Sequence, residues 1–247
     1  MNPRILFHNA LATGSSLSAT NQDAAYPVSN LLDWRAARAF AFASTNTSST
    51  ITVTGCPANT KVDTLFIAGH NLSGASINPA GTGAVTVPNN KFWMKGFTEQ
   101  TGTSFTVVIS SAPSGFYCGV MVLGQALTIP LGAQPGWDIY GWQPNTNWSM
   151  SDTGMPLGSE TFGIEREITI SYPDPGFTTT ELWAATTMPN MDTDFRAHAR
   201  KNPFAFGWNL DTDPEGYLCL LQSVSAPFSY LSTRRSMELS FVVLSDQ

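Results

Sequence analysis

Apolar residues in this chain recur mostly at every second position. Ser49-Thr50-Ile51-Thr52-Val53-Thr54 alternates polar and apolar, the pattern of a half-buried strand. Val62-Asp63-Thr64-Leu65-Phe66-Ile67-Ala68 is more continuously apolar and predicts a central strand. Ser104 to Ile109 and Gly115 to Leu123 read as further strands. The punctuation between them is turn chemistry: Gly55, Pro57, Gly69, Gly74, Pro79-Ala80-Gly81 and Pro113-Ser114-Gly115. Short strands separated by such turns predict a sandwich or barrel. Before about residue 178 the one candidate helix is Asn30 to Arg38. The N-terminal Arg4-Ile5-Leu6 opens a strand; its apolar stretch is too short for a secretory leader.

The grammar changes between Leu127 and Pro156. Pro130, Pro135, Pro144 and Pro156 interrupt it, and Trp137, Trp142 and Trp148 lie within it. A flexible linker is rich in Gly and Ser without Trp. This stretch therefore predicts a connecting segment at 127–156, docked by its indoles, between a β-sandwich at 1–126 and a second β-rich domain at 157–247. In that second unit Ile164 to Tyr172 reads as a strand closed by Pro173-Asp174-Pro175-Gly176. Thr178 and Glu181 have capping-box spacing, which predicts a short helix near 178–201 broken at Pro189. Phe195, His198 and Ala199 share one face of its second part. Phe204 to Leu210, Tyr217 to Ser225 and Ser236 to Leu244 are strand-like. The fold class is mainly β.

Composition narrows the function classes. The 247 residues are 12% charged, with 12 Lys and Arg against 18 Asp and Glu, a formal net charge of −6. That is about half the usual charge of globular domains. The 42% hydrophobic and 11% aromatic content excludes a disordered chain. The acidic balance and scattered cations exclude a nucleic-acid surface. No apolar run reaches the roughly 18–20 residues of a membrane span. Cys56, Cys118 and Cys219 are odd in number and lack CxxC spacing, so three buried free thiols are expected.

Candidate chemistry is sparse. His8, His70 and His198 lack the close spacing of a metal pair. Asp211-Thr212-Asp213-Pro214-Glu215-Gly216 matches the start of a calcium loop, but position twelve is Gln222, and the same residues make a good turn. Glu160, Glu165 and Glu167 are the candidate carboxylates for glycoside hydrolysis. No nucleophile elbow, P-loop or dinucleotide fingerprint is present, so neither catalytic residues nor a cofactor are expected. The seven tryptophans carry more. Rigid aromatics stack on sugars and anchor protein interfaces. Trp137, Trp142 and Trp148 are candidates for an interface, Trp34 and Trp93 for glycan binding.

One stretch goes beyond a generic β reading. Leu17-Ser18-Ala19-Thr20 is followed by Tyr26-Pro27-Val28-Ser29-Asn30-Leu31-Leu32-Asp33. A Ser/Thr-rich strand then runs to Val53, and Val62 to Ala68 leads into Gly69-His70-Asn71-Leu72. Residues 15–125 resemble the galactose-binding-like (discoidin-type) jelly-roll domains of tailed-phage virion proteins. The chain departs at Arg35 to Phe40, where such domains carry a Thr-x-Trp step. The second half, with Pro203-Phe204-Ala205-Phe206-Gly207-Trp208 after a short helix, resembles the β-rich modules of tail-tip and baseplate proteins. The resemblance implies a structural virion protein, made in the bacterial cytoplasm. It would join tail tube to tip, have other tail proteins as partners and form a homo-oligomer; the alternative is a carbohydrate-binding module engaging host surface glycans, with a host glycan as its partner.

Overall fold

The computed structural model describes residues 3–35, 38–43, 45–128, 134–135, 142–150, 156–178, 194–210, 213–225 and 234–244. The chain is mainly β. A five-stranded antiparallel sheet contains β2 (Ser16–Ala19), β4 (Ser49–Thr54), β9 (Ser104–Ser110), β6 (Ser76–Pro79) and β7 (Val85–Thr86), in that spatial order. Facing it run β8 (Trp93–Gly102), β5 (Thr60–His70), β10 (Tyr117–Gly124) and β3 (Phe40–Ala41). This is the N-terminal jelly-roll sandwich. Its interior holds Ile51 and Val53 of β4, Phe105, Val107 and Ile109 of β9, and Leu65 and Ile67 of β5. The period-two reading therefore gives the correct inward face on both β4 and β9.

Strand β5 explains its own continuous apolar run. Val62, Leu65 and Ile67 face the sandwich interior, while Phe66 and Ala68 belong to a second cluster on the other side of the sheet. That cluster also takes Met94, Val120 and Val122 from neighbouring strands, and Leu6, Ala205, Leu210 and Leu218 from the ends of the chain. A strand covered on both faces has no solvent side to mark with polar residues.

The rest of the large sheet continues from β8 by a single register pair, Trp93 opposite Glu215. It runs through β16 (Asp213–Ser225) and β15 (Phe204–Asn209) to β1 (Arg4–Leu6) and β11 (Leu127–Thr128). Strand β1 pairs with β15, Ile5 opposite Phe206, so the first strand hydrogen-bonds to the last third of the chain. Strand β17 (Arg234–Val243) lies beside β16, and β14 (Pro156–Thr178) beside β17. Strands β12 (Gln134–Pro135) and β13 (Trp142–Met150) both pair with β14. Phe7, Phe195, Phe204, Phe206 and Phe241 fill a third cluster; Phe195 and Phe204 meet edge to face at 5.0 Å.

Two glycines set the spacing of these layers. Gly216 lies where an added Cβ would come within 2.6 Å of Met94 Cβ, so β16 can approach β8 only because that position is bare. A Cβ on Gly124 would overlap the His8 carbonyl oxygen.

Several expectations need correction. Among the described residues Asn30 to Arg38 forms no α-helix; the chain makes a 3-10 turn at Val28–Leu32, which buries Val28 and Leu31. Thr178 ends β14 opposite Arg234. Glu181 and the rest of residues 179–193 lie outside the described residues, where most of the expected helix near 178–201 falls; the described part of that range holds α2 (Arg196–Ala199). Pro173 to Gly176 does not close its strand; a register shift between Tyr172 and Phe177 absorbs it as a bulge. The stretch expected to be irregular holds the nine-residue strand β13, whose Trp and Thr residues suit a pleated ribbon. Trp93 is 1% exposed, inside the sandwich core, so it presents no face to a ligand. Its Nε1 has no hydrogen-bond partner.

Candidate functional site

An open cleft of about 1040 Å³ lies beside one end of the sandwich. Four segments far apart in sequence line it. The N-terminal stretch supplies Phe7, His8 and Asn9, and α1 (Ala10–Thr13) supplies Thr13. Leu32 ends the 3-10 turn and Trp34 follows it, Pro57 to Asn59 come from the β4–β5 loop and Thr60 and Lys61 from the start of β5, and Asp194 and His198 come from α2 and the residues before it. Thr101 and Gln125 complete the lining.

Each wall is held by local chemistry. Asn9 caps α1, its Oδ1 accepting from Leu11 N at 3.1 Å and from Leu123 N at 3.2 Å. Its Nδ2 donates to Met121 O at 3.1 Å, which ties the cleft floor to β10. Asp33 Oδ1 accepts from the Arg35 backbone N–H at 3.2 Å, closing the turn that presents Trp34. Trp34 is half-buried, and its ring meets that of His198 edge-on at 5.8 Å. His198 also packs against Phe7 at 5.6 Å, and its Nε2 lies 2.8 Å from Pro203 O. The indole is therefore pinned from one side.

The electrostatics are mild. Lys61 Nζ pairs with Glu99 at 2.8 Å, and Gln125 Nε2 donates to the other oxygen of that carboxylate at 3.1 Å. His8 has solvent on one side, yet the protein mass around it lowers its pKa. Asp194 opposes that shift and His198 adds to it. His8 is consequently more neutral than an ordinary histidine at the same pH. The cleft offers an aromatic ring, amides, hydroxyls and one neutral-leaning imidazole, a lining suited to a polyhydroxylated, weakly charged ligand.

The other sequence candidates are placed as follows. Trp137 lies outside the described residues. Trp142 and Trp148 are backbone positions of β13, opposite Arg166 and Ser159 of β14. Glu160 and Glu165 lie opposite Asn147 and Gln143, and Glu167 opposite Val242. Asp211 and Thr212 lie outside the described residues; Asn209 pairs with Asp213. Among the described residues no group of three or more His, Cys, Asp or Glu is placed to hold a metal ion, and no helix is long and apolar enough to cross a membrane. Cys56, Cys118 and Cys219 are free and buried.

The Gly69-His70-Asn71-Leu72 signature turns out to be a latch. His70 is 3% exposed; its Nδ1 accepts from Leu72 N at 3.1 Å and its Nε2–H donates to Lys91 O at 2.8 Å. Burial pushes its pKa down to about 4, so the ring stays neutral in that arrangement. Asn71 Oδ1 accepts from Tyr117 N at 2.9 Å, and its Nδ2 donates to Gly115 O at 3.2 Å. Sequence reasoning missed the grouping of His8, Asn59, Lys61, Gln125, Asp194 and His198 around Trp34. No local pattern marks it, because the loops converge only through the long-range pairing of β1 with β15.

No protein-family model and no curated protein matches the chain. Among solved structures, the chain is similar to a chitosan-binding module of a Paenibacillus chitosanase/glucanase, at 18% identity and a TM-score of 0.37, over 47% of this chain and 98% of that one. It is similar to a pectin-binding carbohydrate-binding module at 13% identity and a TM-score of 0.35, over 47% of this chain and 94% of that one. A Ruminococcus gnavus fucosidase solved with fucose is similar at 14% identity and a TM-score of 0.38, over 49% of this chain and 27% of that one. Scores at this level bear on neither ligand nor partner.

Proposed function

We propose that this chain is a non-enzymatic carbohydrate-binding protein built on a galactose-binding-like sandwich, and that the cleft beside Trp34 is its glycan site. One observation carries the reading. A half-buried indole, pinned by His198, stands over a cleft whose polar lining is mainly amide and hydroxyl: Thr13, Asn59, Thr60, Thr101 and Gln125. An aromatic ring takes the apolar face of a sugar, and amides and hydroxyls take its hydroxyl groups. Binding of this kind needs no cofactor.

The test is a glycan array probed with the full chain, followed by titration of the best ligand. Wild type binds, and Trp34→Ala, with an unchanged circular dichroism spectrum, loses at least tenfold in affinity, as truncation of a central aromatic does. Absence of binding across host surface polysaccharides, or full affinity in Trp34→Ala, overturns the reading.

A second reading places this binding on a particle. The resemblance of residues 15–125 to phage virion domains supports a structural subunit of a tail tip or baseplate, located in the virion and joining tail tube to distal parts. The 12% charge supports it too, since a subunit covered by neighbours needs little charge to stay soluble. Mass spectrometry of purified intact particles detects the polypeptide if this holds; particles complete without it end this second reading and leave the first standing.

A further inference from the structure

Two imidazoles border the indole of the cleft, and their bonding is incomplete. His198 Nε2 lies 2.8 Å from Pro203 O, and a carbonyl oxygen only accepts, so Nε2 carries the proton. In the neutral ring Nδ1 then holds a lone pair. Among the described residues no group bonds to that Nδ1, nor to either ring nitrogen of His8. His198 meets Trp34 edge-on at 5.8 Å, and Phe7, the neighbour of His8 in the chain, packs on the same His198 ring at 5.6 Å. The N-terminal stretch and α2 thus bring both rings to one lining.

The charges around these rings are few, and most are already paired. Lys61 of β5 is engaged by Glu99 of β8, whose other oxygen accepts from Gln125. Asp33 and Arg35, on either side of Trp34, bond to each other, and Arg38 lies 3.8 Å from the same carboxylate. Helix α1, the 3-10 turn and β10, whose Gly124 abuts the His8 carbonyl, carry no charged residue. Helix α2 adds Arg196, with Arg200 and Lys201 beyond it and Asp194 ahead of it. Burial is the main influence on His8 and disfavours its charged form; Asp194 favours that form and His198 opposes it.

Resting on the reading of this cleft as a glycan site, we propose that His8 and His198 take hydroxyl groups of an uncharged sugar stacked on Trp34, and that binding consequently weakens in acid. A neutral imidazole accepts a hydroxyl proton at its bare nitrogen; imidazolium has no such nitrogen. An uncharged sugar over the rings also displaces water without bringing a counter-charge, and desolvation disfavours imidazolium. Binding therefore releases protons, and by linkage the affinity falls at a pH where the free protein holds them. An acidic sugar would behave in the opposite way, pairing with imidazolium and binding more tightly in acid. The lining disfavours it, because Lys61 already has its carboxylate and Asp194 repels another.

The experiment is an array of immobilised neutral glucans and mannans, with polygalacturonate as the acidic member, probed with the full chain at pH 7.5 and 5.0. Calorimetric titration with the best-retained neutral glycan follows at both values. Wild type binds neutral members and loses about fivefold or more in affinity at pH 5.0, the change expected when covering one ring makes its proton about tenfold easier to lose. His8→Gln with His198→Gln keeps polar side chains that do not titrate, and its affinity is equal at the two pH values. His70, the third histidine, is buried and common to both proteins. Because the double variant also removes ring contacts to Trp34 and Phe7, a second measurement uses wild type alone. Proton NMR of the histidine C2–H signals shows two of the three midpoints moving to lower pH when the glycan is added. Equal affinity of wild type at the two pH values, a pH response kept by the double variant, or unmoved midpoints overturns the inference. So does tighter binding of polygalacturonate in acid. The glycan reading survives these results if Trp34→Ala still abolishes binding; absence of binding to every member at both pH values counts against both.

Discussion

Individual side chains here are held more by backbone partners than by charge. His70 shows the consequence most directly. Its pKa falls from 6.5 in the unfolded chain to about 4 in the fold, because burial disfavours the imidazolium. Between those values the unfolded chain binds a proton that the folded chain does not, so stability is fully present above about 6.5 and falls as pH drops towards 4. The drop amounts to roughly 3 kcal/mol. Urea midpoints at pH 7.5 and 4.5 are expected to differ more for wild type than for His70→Gln; equal slopes would refute the role given to His70. Trp93 makes a second case. Its buried Nε1–H has no partner, so Trp93→Phe removes an orphan donor along with some packing. The expected cost is below about 2 kcal/mol, against roughly 3–5 kcal/mol for Trp93→Ala. Calorimetric melts of both variants measure the gap.

Among the secondary-structure elements, the short ones are anchored by single polar residues. Helix α1 has only four residues, too few to persist by propensity. Asn9 caps it with one hydrogen bond and ties it to β10 with two. Asn9→Ala loses a cap and leaves two groups of β10 without their partner, so the expected destabilisation is about 2–4 kcal/mol. A loss below about 1 kcal/mol in chemical denaturation would show that the helix does not depend on this cap. The strands behave differently. Strands β4 and β9 were legible because each has one wet face. Pro173 to Gly176 was misleading: turn residues in sequence become a bulge when a long partner strand is present.

The whole molecule depends on contact between chain ends and middle. The face formed by Phe66, Met94, Val120 and Val122 is covered by Leu6, Ala205, Leu210 and Leu218. A fragment ending at residue 126 exposes that face and leaves β1 without β15. Such a fragment is expected to bind a hydrophobic dye and to aggregate; a soluble fragment that melts like the intact chain would show that the cover is dispensable. At the same scale, Gly216→Ala drives a methyl group towards Met94 at the junction of β16 and β8. About 1–3 kcal/mol of overpacking is expected, a fall of several degrees in Tm for a chain of this size.

The sequence by itself determined the β class, the inward faces of β4 and β9 and the buried, unpaired cysteines. These follow from one-residue preferences repeated at a short period, which any local window contains. It also singled out Trp34 and placed Trp142 and Trp148 in one segment. Only the tertiary structure decided that Trp93 is core and that His8, Asp194 and His198 meet Trp34 in one cleft. Those facts depend on strand register and on contacts spanning most of the chain. The tryptophans near residue 145 were visible from the start, but that Trp142 and Trp148 lie on a paired strand, opposite Arg166 and Ser159, became visible only with the register.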